Sequence, residues 1–286
     1  MSTTCVTGRI HLPEFRKYWE TIIQPAPLIL QWLRTGIPLY PHGTLTLATL
    51  PDPLEYRFSI TEKDWTRQEL KRLLQTHAIQ YMGSGPQRPP GLLHTSPIFL
   101  RDKTGPKKHR LLIDLRRLNA CLPHKAFRFE ELKGLLWSVG RNWWTITLDL
   151  RDGYHHIMMS DEAQPLLGFR FENHWYKYRV LPFGLSQAVW IFCKVVRSLI
   201  GRWRSLGITC GNHVDDFYVA HLNRAALLYI RDSIIAPDLR QTGWVRAEDK
   251  GYWEPTQQPT FYGFIIDTVA AQISIPPTNC KKFGQH

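Results

Sequence analysis

Asn212-His213-Val214-Asp215-Asp216-Phe217-Tyr218-Val219 sets two adjacent carboxylates inside a run of apolar and aromatic residues. The run reads as two short strands joined by a tight turn. Side chains alternate faces along a strand, so an acid pair fits best at the turn, where at least one carboxylate can point into a cleft. An Asp-Asp pair alone says little, because most such pairs sit in solvated turns. Further upstream, Thr145-Ile146-Thr147-Leu148-Asp149-Leu150 places another acid at the end of a β-branched and aliphatic run. Such a carboxylate is costly to bury unpaired unless it holds a cation. Three acids on two adjacent strands can hold two Mg²⁺ ions roughly 3.5–4 Å apart, the arrangement used for in-line phosphoryl displacement. Phosphoryl transfer is the leading chemistry.

Composition points to the partner. The 286 residues are 43% hydrophobic, enough for a sizeable core in one large or two modest domains. Lys and Arg number 36 against 24 Asp and Glu, a formal net charge of +12, which suits a polyanion. The cations recur from end to end, at Arg101, Lys103, Lys107, Lys108, Arg110, Arg116, Arg117, Lys194, Arg197, Arg202 and Arg204. Aromatic residues are interleaved with them, as in a groove that tracks phosphates and stacks bases.

The five cysteines form no Cys-x-x-Cys pair and the histidines no helical His-x-x-x-His, so a zinc site is not expected. The start of the chain lacks an apolar signal core, and no run of 18 apolar residues occurs. These features lead to the expectation of an intracellular protein of cytoplasm or nucleus, neither secreted nor membrane-bound.

Residues 1–60 mix short apolar patches with prolines and read as an irregular extension with one helix around Phe15–Ile23. Ser59-Ile60-Thr61-Glu62 opens a helix through Thr76. Ser96–Leu100 and His109–Asp114 read as strands joined by a basic turn at Gly105-Pro106. Glu130–Val139 is expected to be helical and Asn142–Leu150 a strand, and Ser160 caps a short helix. Gly168–Glu172 and Trp175–Val180 pair across Asn173-His174. Ser186 caps a long helix, and another runs from Asn223 to Leu239. Phe261–Ile266 reads as a closing strand. The acid hairpin is antiparallel, so the fold class expected is α+β, not a doubly wound parallel sheet.

These segments resemble the reverse transcriptase family over roughly residues 60–278. Lys108–Asn119 looks like the fingers motif and Leu148–Ile157 like the first carboxylate motif. Leu181-Pro182-Phe183-Gly184-Leu185-Ser186 matches the template-side motif, His213-Val214-Asp215-Asp216 the second carboxylate motif, and Phe261-Tyr262-Gly263-Phe264 the primer grip. Five motifs in the family's order are specific where any one would be weak. The long Leu-Pro-Phe-Gly-Leu-Ser and Gly-Phe-Ile-Ile-Asp stretches are similar to retrotransposon polymerases of the tyrosine-recombinase (DIRS-like) group.

The resemblance implies a right-hand polymerase with an antiparallel palm sheet backed by helices. Its expected parts are an N-terminal extension (1–60), the first part of the fingers (61–143), the palm with the remaining fingers elements (144–270) and the start of a truncated thumb (271–286). It implies RNA-directed DNA synthesis with two Mg²⁺, or Mn²⁺ in their place, on an RNA or DNA template with primer. Deoxynucleoside triphosphates would be the substrates, and the remainder of a polyprotein a partner. Asp149 and Asp215 would ligate both metals, with Asp216 weaker and the Leu150 carbonyl adding an oxygen. Lys103 and Arg110 would grip the triphosphate. Tyr154 would crowd a ribose 2′-hydroxyl, Phe183 and Gly184 would meet the nascent base pair, and Lys250 would protonate the leaving pyrophosphate. Phe261, Tyr262 and Gly263 would hold the primer.

Two departures stand out: His213 occupies a position where the family has Tyr, and Val189 one where it has Pro. Little sequence follows Pro277 to build a thumb, so the alternative expectation is a catalytically silent nucleic-acid-binding remnant. A metal-dependent nuclease would leave the template-side and primer-grip motifs without a use.

Overall fold

Two prolines of the stretch that read as irregular, Pro13 and Pro27, are helix starts. The computed structural model describes residues 5–42, 50–102, 109–128, 134 and 138–276. Pro13 opens helix α1 (Pro13–Tyr18), which continues as a π-helical turn over Trp19–Ile23. Pro27 opens α2 (Pro27–Thr35), a helix absent from the sequence reading. A proline at the first helical position forfeits no hydrogen bond and presets φ. Trp19, Ile29, Trp32 and Leu33 are buried, so this region is core-forming where an irregular extension was expected. The chain divides into two compact units: residues 1–16, 27–126 and 154–192 form the first, and residues 17–26, 127–153 and 193–286 the second.

In the first unit, Ser59 caps α3 (Ile60–Gln75) through a capping box. Its hydroxyl accepts from the Glu62 amide while Glu62 accepts from the Ser59 amide. α3 packs on β1 (Ile79–Ser84), a strand that went unread. The first sheet has the order β1-β6-β5, with β5 (Gly168–Phe171) and β6 (His174–Tyr178) antiparallel. Their turn is Glu172-Asn173, one residue earlier than expected, both at positive φ as a type I′ hairpin requires. A separate two-stranded ribbon pairs β2 (Ile98–Asp102) with β3 (His109–Ile113), and Arg116–Asn119 forms the short α4. The Gly105-Pro106 turn and Lys103 lie outside the described residues.

In the second unit, β4 (Trp144–Asp149) lies beside β8 (Asp216–His221), which pairs in turn with β7 (Thr209–His213). Both pairings are antiparallel. Ile146, Leu148, Phe217 and Val219 on one face and Thr145, Thr147, Tyr218 and Ala220 on the other are buried, so these strands are covered on both faces. The long helix α5 (Ala188–Ser205) follows the template-side motif. Asn223 caps α6 (Arg224–Ile230), which packs on β4 and β8 and passes through a π-helical turn into α7 (Ala236–Thr242). Asp238 is buried, accepting from Tyr18 Oη (2.5 Å), Arg202 Nε (2.9 Å) and Trp203 Nε1 (2.8 Å). A buried carboxylate persists only when so satisfied.

The single closing strand expected over Phe261–Ile266 is instead a hairpin of β9 (Thr260–Phe261) and β10 (Phe264–Asp267), with β11 (Gln272–Ser274) beyond. Tyr262 and Gly263 both adopt positive φ, so the chain reverses there. Most of the Glu130–Val139 helix and residues 277–286 lie outside the described residues.

Candidate active site

Antiparallel register brings the acids of the second unit together. Asp149 is the last residue of β4 and its cross-strand partner is Asp216, the first of β8. Asp216 also pairs with His213 across the other edge, leaving Val214-Asp215 as a two-residue turn. Val214 has φ 54°, while Asp215 is not among the positive-φ residues. That is the type II′ pattern, whose first central position favours Gly. A β-branched residue there carries strain of about 1–3 kcal/mol.

Two half-buried acids share this rung and Asp215 stands exposed beside it. Burial, then repulsion from Asp149, pushes the Asp216 pKa up to about 7, against a smaller opposing hydrogen bond from the Tyr262 amide. Burial and the Asp215 charge raise Asp149 as well, and Lys250 partly offsets them. Both groups hold protons more tightly than ordinary carboxylates, as crowded anions do. Among the described residues no three Asp, Glu, His or Cys side chains already stand at metal-ligating spacing. The donor set is nonetheless three hard carboxylate oxygen donors, the chemistry that Mg²⁺ and Mn²⁺ select. Buried Leu150 follows directly in the chain.

Lys250 reaches this neighbourhood by an edge pairing that no local pattern announces. Residues 245–256 run along the free side of β4, bridging Leu150 to Arg246 and Thr145 to Thr256. The Ala247 amide donates to the Asp149 carbonyl (2.8 Å) and the Thr147 amide to the Tyr252 carbonyl (2.9 Å). Gly251 passes so close that a Cβ would lie 2.5 Å from the Thr147 carbonyl oxygen. Exposed Lys250 therefore sits on a turn pinned to the acid-bearing strand.

The β9–β10 hairpin, in a separate three-stranded sheet with β11, packs against β8. Phe261 packs edge-on against Tyr218 of β8 (5.2 Å between centroids), within a core that includes Ile266. Tyr262 meets the His213 ring at 4.0 Å, and its amide donates to Asp216 Oδ2 at 3.4 Å. Burial lowers the His213 pKa, with Asp215 opposing. Phe261, Tyr262 and Gly263 are thus clipped to the acid hairpin.

The first unit gathers the remaining residues. Tyr154 is 8% exposed, and its ring stacks on Phe183 (4.8 Å, 22°) and tilts against Phe192 (5.1 Å). The Arg110 guanidinium lies over the Phe183 ring at 5.1 Å, and the cross-strand partner of Arg110 is Arg101. Opposed like charges are unfavourable without an anion to share. Gly184 has φ 97°, and a Cβ on it would lie 2.7 Å from the Ile113 carbonyl oxygen. Asn119, quoted in the fingers motif but given no role, closes this turn. It donates to the Gly184 carbonyl and accepts from the Ser186 amide, both at 2.8 Å. A cavity of about 540 Å³ opens beside it, walled by Tyr56, Phe58, Phe99, Asp114, Arg116 and Gly184 among others.

Among the described residues no helix is long and apolar enough to cross a membrane. The family profile of reverse transcriptase (RNA-dependent DNA polymerase) matches residues 101–243, half of the chain. The Drosophila melanogaster retrovirus-related Pol polyproteins of the transposons opus and gypsy are each 26% identical to this chain, over 200 and 209 residues. These matches cover 68% and 71% of the chain but only 17% and 19% of the polyproteins. Those relatives are retrovirus-related and do not establish a tyrosine-recombinase subgroup. The foamy viral protease-reverse transcriptase in complex with double-stranded DNA has the same fold over 95% of the chain and 58% of its own, at TM-score 0.70 and 19% identity. With the acid hairpin, the clipped β9–β10 turn and the Phe183-Gly184 turn in the family's order, the chain belongs to the reverse transcriptase (RNA-dependent DNA polymerase) family, a family of nucleotidyltransferases.

Proposed function

We propose that this chain is an RNA-directed DNA polymerase domain that joins deoxynucleotides to a primer 3′-hydroxyl. The observation that carries the reading is the rung Asp149–Asp216 beside the Asp215 turn, with the proton affinity of both rung acids raised. Asp149, Asp215 and Asp216, with the Leu150 carbonyl, would hold two Mg²⁺ or Mn²⁺. Bound there, the ions would lower the pKa of the attacking hydroxyl and neutralise charge on the transferring phosphoryl group.

The chain's own groups supply the rest. Arg110, with Lys103, binds triphosphate oxygens by charge-assisted hydrogen bonds, and its seat on Phe183 keeps the guanidinium directed. Tyr154, held in its aromatic stack, offers a fixed wall against a 2′-hydroxyl. Phe183 and Gly184 present backbone to a base pair, and Lys250 holds a proton for the pyrophosphate. Phe261, Tyr262 and Gly263 hold the primer end. The template with primer, RNA or DNA, binds mainly through phosphate contacts of the basic chain. We further assign residues 61–143 to the fingers and 144–270 to the palm with the remaining fingers elements, within a longer polyprotein.

A silent nucleic-acid-binding remnant would leave half-buried, mutually repelling carboxylates with no task. Primer extension on a homopolymer RNA template with Mg²⁺ or Mn²⁺ tests the reading. We expect deoxynucleotide-dependent extension that EDTA stops. Tight primer-template binding without extension under either ion would refute it.

A further inference from the structure

The segment that follows Tyr154 is held along both of its edges. On one edge the Met159 amide donates to the Arg179 carbonyl (2.8 Å) and the Leu181 amide to the Ile157 carbonyl (2.9 Å). The N-terminal part of the chain forms the other edge. Ile37 lies parallel to Met159, its amide donating to the Met158 carbonyl and its carbonyl accepting from the Ser160 amide, both at 2.9 Å. Gly36, at φ 80°, allows the approach, since a Cβ on it would lie 2.7 Å from the Ser160 amide nitrogen. The N–H and C=O of one strand residue point the same way, so the Met158 amide also faces this edge. Here the His11 ring stands where a further strand would offer a carbonyl, and its Nε2 accepts from the Met158 amide at 2.9 Å. Burial lowers the His11 pKa to about 4, so at pH 7 the ring is neutral and Nε2 keeps its lone pair. The Gly8 amide adds a bond of 2.8 Å to the carbonyl of His155, the neighbour of Tyr154.

We propose that His11 is a positioning residue that braces the Tyr154 turn from the N-terminal segment and so tightens selection against ribonucleotides. The inference rests on the assignment of Tyr154 as the wall against a 2′-hydroxyl. The stack on Phe183 and Phe192 fixes the plane of the Tyr154 ring, while its reach depends on the backbone beneath it. The Ile157 amide donates to the Tyr154 carbonyl (3.1 Å), so a shift of residues 155–158 passes directly to Tyr154. With His11 truncated, the Met158 amide loses its acceptor and this edge is held less closely. A 2′-hydroxyl is a single added oxygen, so a small retreat of the ring admits it.

Single-nucleotide extension by the full chain opposite a template cytosine, with dGTP or GTP, reads the preference as a ratio of kcat/KM. His11→Ala should lower that preference roughly 10-fold, mainly through a lower KM for GTP. His11→Gln, whose carboxamide oxygen takes the place of Nε2, should stay within about two-fold of the parent. The ratio of dGTP and GTP Kd values on a dideoxy-terminated primer gives the same reading without turnover. Should melting curves show that His11→Ala does not fold, His11→Asn, polar but too short to reach the Met158 amide, takes its place. A general packing defect would weaken both nucleotides together and leave the ratio unchanged. An unchanged ratio beside a relaxed Tyr154→Val would therefore overturn the brace, as would a His11→Gln variant as permissive as His11→Ala. If Tyr154→Val also leaves the ratio unchanged, the role of Tyr154 itself fails, and the two failures are distinct.

Discussion

Two hairpins carry the charges of this protein in opposite ways. The β2–β3 ribbon presents Arg101 and Arg110 as cross-strand partners, both exposed. The β7–β8 hairpin and its neighbour β4 half-bury Asp216 and Asp149 on one rung. Water solvates the arginines, so their repulsion is screened and their placement costs little. The acids have lost part of that solvation, and Asp216 responds by holding its proton up to about pH 7. In the function proposed, the exposed cation pair meets a ligand that comes and goes, and the half-buried anion cluster an ion that belongs to the site.

The contrast breaks first at the acids. Asp149→Asn and Asp215→Asn should each reduce primer extension by about 10³-fold or more, since a metal-held phosphoryl transfer loses its charge stabilisation. Steady-state incorporation measures this, and a reduction under ten-fold would remove the acids from the mechanism. Gly184→Ala should come next, because its Cβ would press on the Ile113 carbonyl oxygen at positive φ. We expect a stability loss of ~1–3 kcal/mol in urea unfolding, with extension falling alongside.

Arg110→Leu should have a smaller, purely ligand-dependent effect. Its side chain is exposed, so the melting temperature should hold while KM for deoxynucleotides rises roughly 10-fold. Added salt should weaken primer-template affinity steeply by the same screening. Equal KM in variant and parent would leave Arg110 as a surface charge.

The smallest effect concerns pH. The Asp216 pKa is raised in the fold to about 7 from an ordinary 3.8. Between those values the folded chain binds more protons than the unfolded chain, so the metal-free protein loses stability as pH rises through that window. Melting curves in EDTA from pH 5 to 8 should show this decline, and Asp216→Asn should flatten it.

The acid rung was legible in sequence because alternation and register leave a strand-ending acid few places to go. The capping box at Ser59 and Glu62 was legible for the same local reason. What escaped depends on nonlocal contact. Pro27 lies in a stretch that read as irregular, yet it opens α2. Residues 245–256 align on β4 by backbone pairing alone, with no alternation to betray it. The Tyr262-Gly263 reversal hid inside an apolar run, although Gly263 supplied a turn signal. Val214 gave no hint of its positive φ, because a β-branched residue is disfavoured there.

The central claim is that the raised proton affinity of the acid rung marks a cation site. Calorimetric titration of Mn²⁺ into the metal-free chain at pH 7, in buffers of differing ionisation enthalpy, counts the protons displaced. The account predicts binding with release of about half a proton from Asp216, vanishing near pH 9 and absent in Asp216→Asn. Binding with no proton release at pH 7, or no binding at all, would contradict it.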